Sequence, residues 1–176
     1  IQEQLEAGIR FLDIRCRHYN GKFTIHHASE YMGKDFDDVL KTCKNFLKEH
    51  KGETIVMTIK EEHTREDTDN KRTFGDIFNT YWDEYSKLFS TTDTIPVLDS
   101  VRGKIVVLRR FNYAKGEKNE HGINIDGWPD NKTGRLGKPS GYVQDKYQWV
   151  GCSPIPISSK VDAVLSCINR TMFDAN

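Results

Sequence analysis

The stretch GIRFLDIR, residues 8–15, and the stretch KFTIHH, residues 22–27, decide the fold of this chain. Both have the length and apolar content of β-strands, and both end on charged or titratable side chains. Because side chains alternate along a strand, Asp13 and Arg15 are predicted to share one face of the first strand. Because His26 and His27 must point to opposite faces of the second strand, alternation selects His27, rather than His26, as the candidate functional residue.

Periodicity predicts further elements that alternate between helix and strand. They are the helices 36–47, 72–89 and 161–168 and the strands 53–60, 103–110 and 141–147. Strands that alternate with helices indicate a parallel sheet. A closed β/α barrel and an open doubly wound sheet share this pattern, so alternation does not choose between them. No GxGxxG or Walker-type loop follows any strand, which weakens a nucleotide-binding interpretation.

The charged strand ends are the candidate functional residues. In a parallel α/β protein, the site is built at the carboxyl ends of the strands. If the five predicted strands turn the same face inwards, seven side chains meet there: Asp13, Arg15, His27, Lys60, Arg110, Asp145 and Tyr147. Three cations, two carboxylates, a histidine and an aromatic ring suit an anionic, polyhydroxylated ligand. The other histidine, His26, is predicted to be structural.

The composition limits the classes of function. The chain has 176 residues, with 26 basic and 26 acidic side chains and no net charge. One domain with its own core is expected at this length, and balanced charge argues against a nucleic-acid partner. No apolar run approaches the ~20 residues of a membrane span. The chain begins at Ile1 without an initiator Met, and we expect a mature or partial product.

The four cysteines fit no metal-ligand spacing. Cys43 lies on the apolar stripe of a predicted helix and is expected to be a buried thiol. Cys152 and Cys167 are able to pair only if the protein is secreted, and the sequence leaves this open.

Several separated blocks of the chain resemble a known family. They are GIRFLDIRCR, FTIHHASEYMGKDFDDVLKTCKNFLKEHKGETIVMTIKEE, VRGKIVVLRRF, WPDN and VQDKY, and they extend in order to about residue 147. They resemble the catalytic X-domain of phosphatidylinositol-specific phospholipases C of the small bacterial type. The resemblance implies a distorted TIM-type (β/α) barrel. About five of eight strands are visible, so we expect one partial domain over residues 1–176.

The resemblance implies a lyase reaction on phosphatidylinositol. The inositol 2-hydroxyl attacks phosphorus, and the products are diacylglycerol and inositol 1,2-cyclic phosphate. By position, His27 matches the general acid that protonates the departing oxygen, and Arg15 matches the arginine that binds the phosphate. Asp13 matches the carboxylate that supports the phosphate site and the attacking hydroxyl.

The same resemblance assigns the remaining candidates and argues against a metal. Lys60, Arg110 and Asp145 match groups that contact inositol or phosphate, and Tyr147 matches the ring that stacks on the inositol. Calcium-dependent relatives have acids where this chain has Arg15 and Lys60. Because two cations beside a carboxylate would repel a divalent ion, we expect no metal and no cofactor.

One departure from the family pattern affects activity. The family's general-base histidine lies in a Gly-Thr-His-Asp stretch on the first barrel strand, and this stretch would precede Ile1. We therefore expect the chain alone to be catalytically inactive. A smaller departure is Ala28, where relatives often have glycine.

The resemblance also implies partners and a location. The expected substrate is phosphatidylinositol or a glycosylated form of it, reached through peripheral contact with a membrane surface, with Trp128 as a candidate contact residue. A secreted, extracellular monomer is expected. Two alternatives stay open: a metal-dependent barrel like glycerophosphodiester phosphodiesterases or sphingomyelinase D, and a non-catalytic module that binds inositol phosphates.

Overall fold

The computed structural model describes residues 1–63, 72–117, 120–125, 127–137, 141–148 and 157–174. The chain divides into two compact units, Ile1–Asn124 and Ile125–Asn176. This division does not decide between one domain and two. The single domain over residues 1–176 therefore stays a prediction.

The first unit contains a six-stranded sheet and three α-helices. Its elements are α1 (Gln2–Glu6), β1 (Phe11–Tyr19), β2 (Lys22–His27), β3 (Glu30–Asp35), α2 (Phe36–Glu49), β4 (Ile55–Glu61), α3 (Phe74–Glu84), a 3₁₀ helix (Leu98–Val101), β5 (Ile105–Arg110) and β6 (Ile123–Asn124). The predicted helix 72–89 is therefore shorter than expected, and the first strand extends beyond its predicted end.

Four strands of this sheet are parallel, and three of them, β1, β4 and β5, correspond to predicted strands, whereas β6 was not predicted. The strand order is β3-β2-β1-β4-β5-β6, and β1, β4, β5 and β6 pair in parallel. Residues that are opposite one another in such a ladder share a face of the sheet. Arg15 lies opposite Lys60, which lies opposite Arg110. The parallel part of the sheet therefore aligns the three cationic strand ends in one row.

The second predicted strand does not join the parallel part of the sheet. β2 pairs with β1 in the antiparallel direction through a turn at Asn20 and Gly21, whose φ angles are 46° and 74°. A connection of two residues can only reverse the chain, because a parallel return needs a crossover of a dozen or more residues. The prediction that β2 contributes a parallel barrel strand is wrong.

The antiparallel pairing also changes the face assignment in β2. Cys16 lies opposite Ile25, and Arg17 lies opposite Thr24. Phe23 and Ile25 therefore belong to the core face, on the other side of the sheet from Arg17 and, by alternation, from Arg15. The prediction that alternation along β2 puts His27 on the same face of the sheet as Arg15 is therefore wrong.

The second unit contains a small sheet and one helix. Its strands β7 (Thr133–Leu136) and β8 (Gly141–Gln144) form a two-stranded antiparallel sheet, and α4 spans Ile157–Asp174. The predicted strand 141–147 thus ends at Gln144 and belongs to a separate antiparallel sheet, so its assignment as a fifth parallel strand is wrong. The predicted helix 161–168 lies within α4.

The predicted apolar stripes of α2 and α3 form the core of the first unit. The buried residues of α2 are Phe36, Val39, Leu40, Cys43, Phe46 and Leu47, and those predicted for α3 and the turn after it are Phe74, Ile77, Phe78, Tyr81, Tyr85, Leu88 and Phe89. All belong to one cluster with the core face of the sheet. The prediction that Cys43 is a buried thiol is confirmed. Burying this apolar area is the main stabilising contribution.

Capping boxes fix the beginnings of both long helices. Asp35 caps α2, and its backbone N–H donates to Asp38. Thr73 caps α3, accepting from the backbone N–H of Asp76 at 2.9 Å. Each cap satisfies backbone groups that a helix leaves unpaired at its first turn. Within the described residues, no helix is both long enough and apolar enough to span a membrane.

Candidate active site

A single carboxylate organises the carboxyl edge of the parallel strands. The Oδ1 atom of Asp13 accepts a hydrogen bond from Thr58 Oγ1 at 2.8 Å, and Oδ2 accepts one from Arg15 Nε at 3.1 Å. Arg110 Nη1 lies 3.5 Å from Oδ1. Asp13 therefore bridges β1, β4 and β5, and it orients the two guanidinium groups.

The register of the sheet explains this arrangement. Asp13 lies opposite Thr58, and each is followed two residues later by a cation, Arg15 or Lys60. A carboxylate and a hydroxyl thus form one row across the strands, and the cations form the next row. Arg110 reaches back from the second row to the first.

A residue that the sequence analysis missed completes the arrangement. Glu62 directly follows β4, and only 11% of its side chain is exposed. Its carboxylate lies 3.4 Å from Arg15 Nη1 and 3.7 Å from Lys60 Nζ. The only signal in the sequence was the acidic pair Glu61 and Glu62, directly after the predicted strand 53–60. Acidic residues at such a position are usually solvated. We call the six residues Asp13, Arg15, Thr58, Lys60, Arg110 and Glu62 the Asp13 cluster.

His27 is the last residue of β2, and the residue after it, Ala28, contacts the Asp13 cluster. The backbone N–H of Ala28 donates to Glu62 Oε1 at 3.1 Å, the same oxygen that Arg15 approaches. Ala28 has a φ of 52°, in the left-handed region that favours glycine. His27 is exposed. The hairpin and the Glu62 carboxylate, not strand alternation, bring the His27 backbone near Arg15.

The Asp13 cluster has an excess of positive charge. Among these six described residues, three cations face two carboxylates, an excess of one positive charge. Burial lowers the pKa of Arg15, but the neighbouring carboxylates of Asp13 and Glu62 outweigh it and raise this pKa above its ordinary value. The cluster can therefore attract a singly charged anion, and Arg15 stays charged at any physiological pH. In the part of the chain that the structure describes, no group of three or more His, Cys, Asp or Glu side chains could hold a metal ion.

Asp145 and Tyr147 belong to the second unit, where both have structural contacts. Asp145 accepts a hydrogen bond from Trp128 Nε1 at 2.8 Å. The hydroxyl of Tyr147 donates to Asp130 at 3.2 Å, and its backbone N–H donates to Asn131. Both residues follow β8 in the chain. Their predicted roles in ligand binding stay predictions.

Two other sequence predictions concern residues of the second unit, Trp128 and Cys152. Trp128 is half-buried, and its indole N–H is bonded to a carboxylate, so its predicted membrane contact stays a prediction. Cys152 lies outside the described residues, but Cys167 is a free cysteine in the structure, so the pairing that the sequence left open is not formed.

The fold and the Asp13 cluster together define a class of protein. A mostly parallel α/β sheet with cations and a carboxylate at its carboxyl edge is typical of β/α proteins that bind anionic ligands at the strand ends. Residues 1–111 match the family model of the phosphatidylinositol-specific phospholipase C X domain. The chain therefore belongs to this family.

Curated relatives support the same assignment. The chain is 31% identical over 186 aligned residues to a 1-phosphatidylinositol phosphodiesterase of Staphylococcus aureus, covering 98% of this chain and 56% of that protein. It is 36% identical over 110 residues to the enzyme of the same name from Listeria monocytogenes, covering 61% of this chain and 33% of that protein. The chain thus spans about half the length of the Staphylococcus relative.

Solved structures confirm the predicted α/β barrel class, incomplete in this chain. A phosphatidylinositol-specific phospholipase C of S. aureus, described with regard to its membrane binding, matches with a TM-score of 0.71 at 30% identity. The match covers 94% of this chain and 56% of that one. The Listeria monocytogenes enzyme matches with a TM-score of 0.65 at 27% identity, covering 94% and 55%.

Proposed function

We propose that this chain is part of a phosphatidylinositol-specific phospholipase C, a phosphorus–oxygen lyase that releases diacylglycerol and inositol 1,2-cyclic phosphate. The observation that best supports the proposal is the Asp13 cluster, in which Asp13 orients Arg15 and Arg110 on adjacent parallel strands. One net positive charge matches the single negative charge of a phosphodiester. The names of the relatives supply the lipid substrate.

In the proposed reaction, each residue of the cluster has a separate task. Arg15 donates hydrogen bonds to the phosphate oxygens, where negative charge grows as the inositol 2-hydroxyl attacks phosphorus. The bond from phosphorus to the diacylglycerol oxygen breaks, and His27 gives that oxygen a proton. Asp13 keeps Arg15 in place and contacts the attacking hydroxyl. Lys60 and Arg110 bind phosphate or inositol hydroxyls.

The second unit contributes to substrate binding in this proposal. Asp145 accepts hydrogen bonds from inositol hydroxyls, and the ring of Tyr147 stacks on the inositol. The proton of the 2-hydroxyl requires a general base. No Gly-Thr-His-Asp stretch occurs in residues 1–176, so the proposed activity is that of a longer protein that contains these residues.

The proposal includes a metal-independent mechanism and contact with membranes. Arg15, Arg110 and Lys60 supply the positive charge that a divalent ion would supply elsewhere. We further propose peripheral membrane contact, a secreted location and a monomeric state. The reported membrane binding of the S. aureus enzyme supports the first of these.

The test is to incubate the longer protein with phosphatidylinositol vesicles and follow the phosphorus products by ³¹P NMR. We expect inositol 1,2-cyclic phosphate, at the same rate in EDTA as in added Ca²⁺ or Mg²⁺. Activity that EDTA abolishes and Mg²⁺ restores would instead indicate a metal-dependent glycerophosphodiester phosphodiesterase. Binding of inositol phosphate with no turnover would indicate a non-catalytic module.

A further inference from the structure

The turn that joins β2 to β3 is exposed to solvent along its whole length. Each residue from 27 to 34 is exposed, and β3 is the edge strand of the six-stranded sheet. We call residues 28–34 the β2–β3 tip. Residues so exposed contribute little to the hydrophobic core, so the tip is available for contact with another molecule.

Two large side chains of the tip are exposed although both have extensive apolar surface. Tyr31 is 54% exposed, and Met32 is 57% exposed. The ring of Tyr31 is held in place, because its hydroxyl donates to Asp35 at 3.4 Å and its centroid lies 5.6 Å from that of His26. Alternation along β3 puts Met32 on the opposite face from Tyr31. The tip therefore presents an aromatic side chain on one face and a flexible thioether on the other.

The tip starts at the Asp13 cluster. The backbone N–H of Ala28 donates to Glu62 Oε1 at 3.1 Å, and Arg15 Nη1 lies 3.4 Å from the same oxygen. The residue directly before the tip is His27, the proposed proton donor. The tip therefore borders the place where a phosphodiester would bind.

Under the proposed function, on which this inference rests, the scissile phosphate belongs to a lipid in a bilayer. The phosphate lies at the level of the headgroups, and the acyl chains extend into the hydrocarbon from the glycerol that His27 releases. Exposed side chains beside His27 therefore reach the membrane surface when the substrate is bound. A tyrosine is suited to the headgroup region, and a flexible methionine is suited to the apolar boundary below it.

A second group of exposed apolar side chains lies at the opposite edge of the sheet. Ile95, Val97 and Leu98 are 56%, 76% and 56% exposed. They precede β5, whereas the Asp13 cluster lies at the carboxyl ends of the parallel strands, and a strand of the length of β5 spans roughly 17–20 Å. A bilayer whose lipid phosphate occupies the cluster does not reach this group. It is therefore a matched control for the tip.

The charges of the tip do not select an anionic surface. Glu30 and Lys34 are both exposed and carry opposite charges. Beside them, Lys22 Nζ lies 2.7 Å from Asp35 Oδ2, so the formal charges of these four residues cancel. Attraction to the membrane through the tip therefore depends on apolar surface, and salt should weaken it little.

We propose that the β2–β3 tip is a membrane-contact element of this protein. Tyr31 lies among the lipid headgroups, and Met32 enters the boundary between the headgroups and the acyl chains. The contact keeps the Asp13 cluster at the depth of the lipid phosphate. It is distinct from the contact expected at Trp128, which belongs to the other compact unit.

The test in the unmodified protein uses NMR of methionine methyl groups. Residues 1–176 contain three methionines, Met32, Met57 and Met172, and Met57 is fully buried. The longer protein, labelled with ¹³C at these methyl groups, is added to phosphatidylcholine bicelles that carry a nitroxide on an acyl chain. We expect the Met32 signal to lose most of its intensity while the Met57 signal is retained, with M32L and M57L giving the assignment. Equal intensities of the two signals would overturn the proposal.

Matched double variants measure the contribution of the tip. Y31S and M32S together should weaken partitioning onto phosphatidylcholine vesicles at least about tenfold, because two apolar contacts with lipid are lost. V97S and L98S together should leave it unchanged within about twofold, since they lie at the other edge of the sheet. Equal losses in the two double variants, or loss of binding of the unmodified protein at ~0.5 M salt, would overturn the proposal. If a variant fails to fold, the methyl signals of the unmodified protein still decide.

A soluble substrate separates the membrane contact from the proposed function. Phosphatidylinositol with short acyl chains, kept below its micelle concentration, requires no membrane for turnover. If this substrate is turned over while Met32 keeps its signal, the membrane contact is overturned and the proposed function is supported. If it is not turned over while Met32 loses its signal, the membrane contact is supported and the proposed function fails.

Discussion

At the scale of single residues, Asp13 is the side chain on which the proposed site depends. It is the only described carboxylate that contacts Arg15, Thr58 and Arg110 together. A carboxylate between two guanidinium groups fixes their orientation before a ligand arrives, and this avoids reorganisation during the reaction. The sequence predicted Asp13, Arg15, Lys60 and Arg110 because parallel register puts them on one face.

The Arg15→Lys substitution tests whether geometry or charge matters at this position. Arg15 contacts Asp13 and Glu62 through different nitrogens, and this leaves part of a planar fork for phosphate oxygens. A lysine keeps the charge but loses the fork, so we expect kcat/KM of the longer enzyme to fall by at least about tenfold. The measurement is turnover of phosphatidylinositol vesicles. Activity equal to that of the unmodified enzyme would show that a point charge suffices.

His27→Ala tests the proposed proton donor. Turnover of the longer enzyme should fall by roughly 10²–10⁴, the usual contribution of a positioned general acid. A substrate with a more acidic leaving group should recover much of the loss, because its departing oxygen needs no proton. The control is His50→Ala, at an exposed histidine after α2, which should keep full activity. If both variants behave alike, His27 has no role in proton transfer.

At the scale of elements, one hydrogen bond joins the hairpin to α3. The backbone N–H of Phe23 in β2 donates to the hydroxyl of Tyr81 at 3.1 Å, and both residues are buried. Burial raises the pKa of Tyr81 to about 12, so the hydroxyl stays protonated. This bond holds the strand that ends at His27 against the core.

The Tyr81→Phe substitution removes this acceptor and little else. A buried backbone N–H then has no partner, and we expect the free energy of unfolding to fall by about 1–3 kcal/mol. Urea denaturation measures the change. The control is Tyr19→Phe, at an exposed tyrosine, which should change stability by less than about 0.5 kcal/mol. A loss no larger than that of the control would show that the bond to Phe23 contributes nothing.

The elements were more predictable than their connections. The apolar stripes of α2 and α3 predicted the buried residues correctly, because helical periodicity is a local property of the sequence. The reversal at Asn20 and Gly21 was also encoded locally, since these residue types favour a two-residue hairpin. The prediction from side-chain alternation did not take this turn into account, so the face assigned to the residues of β2 was wrong. Glu62 was not predictable, because its role depends on three different segments.

At the scale of the whole molecule, the sheet face that bears Asp13 is exposed at β1, whereas at β5 its residues Val106 and Leu108 are buried. Phe11, on the same face of β1, is 49% exposed, although it is a large apolar side chain. In a closed barrel this face is interior and filled by side chains from all strands. The exposure agrees with an incomplete barrel and with coverage of only about half of the S. aureus relatives.

The pH dependence of stability is a further property of the whole molecule. Burial lowers the pKa of both His26 and His121 in the folded chain, whereas in the unfolded chain each imidazole has a pKa of about 6.5. As the pH falls through this value, the unfolded chain binds protons that the folded chain does not. The free energy of unfolding should therefore fall between pH 7.5 and pH 5.5.

His121→Phe isolates one part of this effect. The His121 ring stacks on Trp82 with centroids 4.5 Å apart and an angle of 6°, and a phenyl ring can keep this stacking without titrating. The bond from the backbone N–H of His121 to Tyr113 is also retained. Urea unfolding at pH 7.5 and at pH 5.5 should then show a smaller loss of stability for the variant than for the unmodified chain. An equal loss in both proteins would mean that His121 binds its proton as readily in the folded chain as in the unfolded one, and the acid sensitivity would then have to arise at His26 or at other groups.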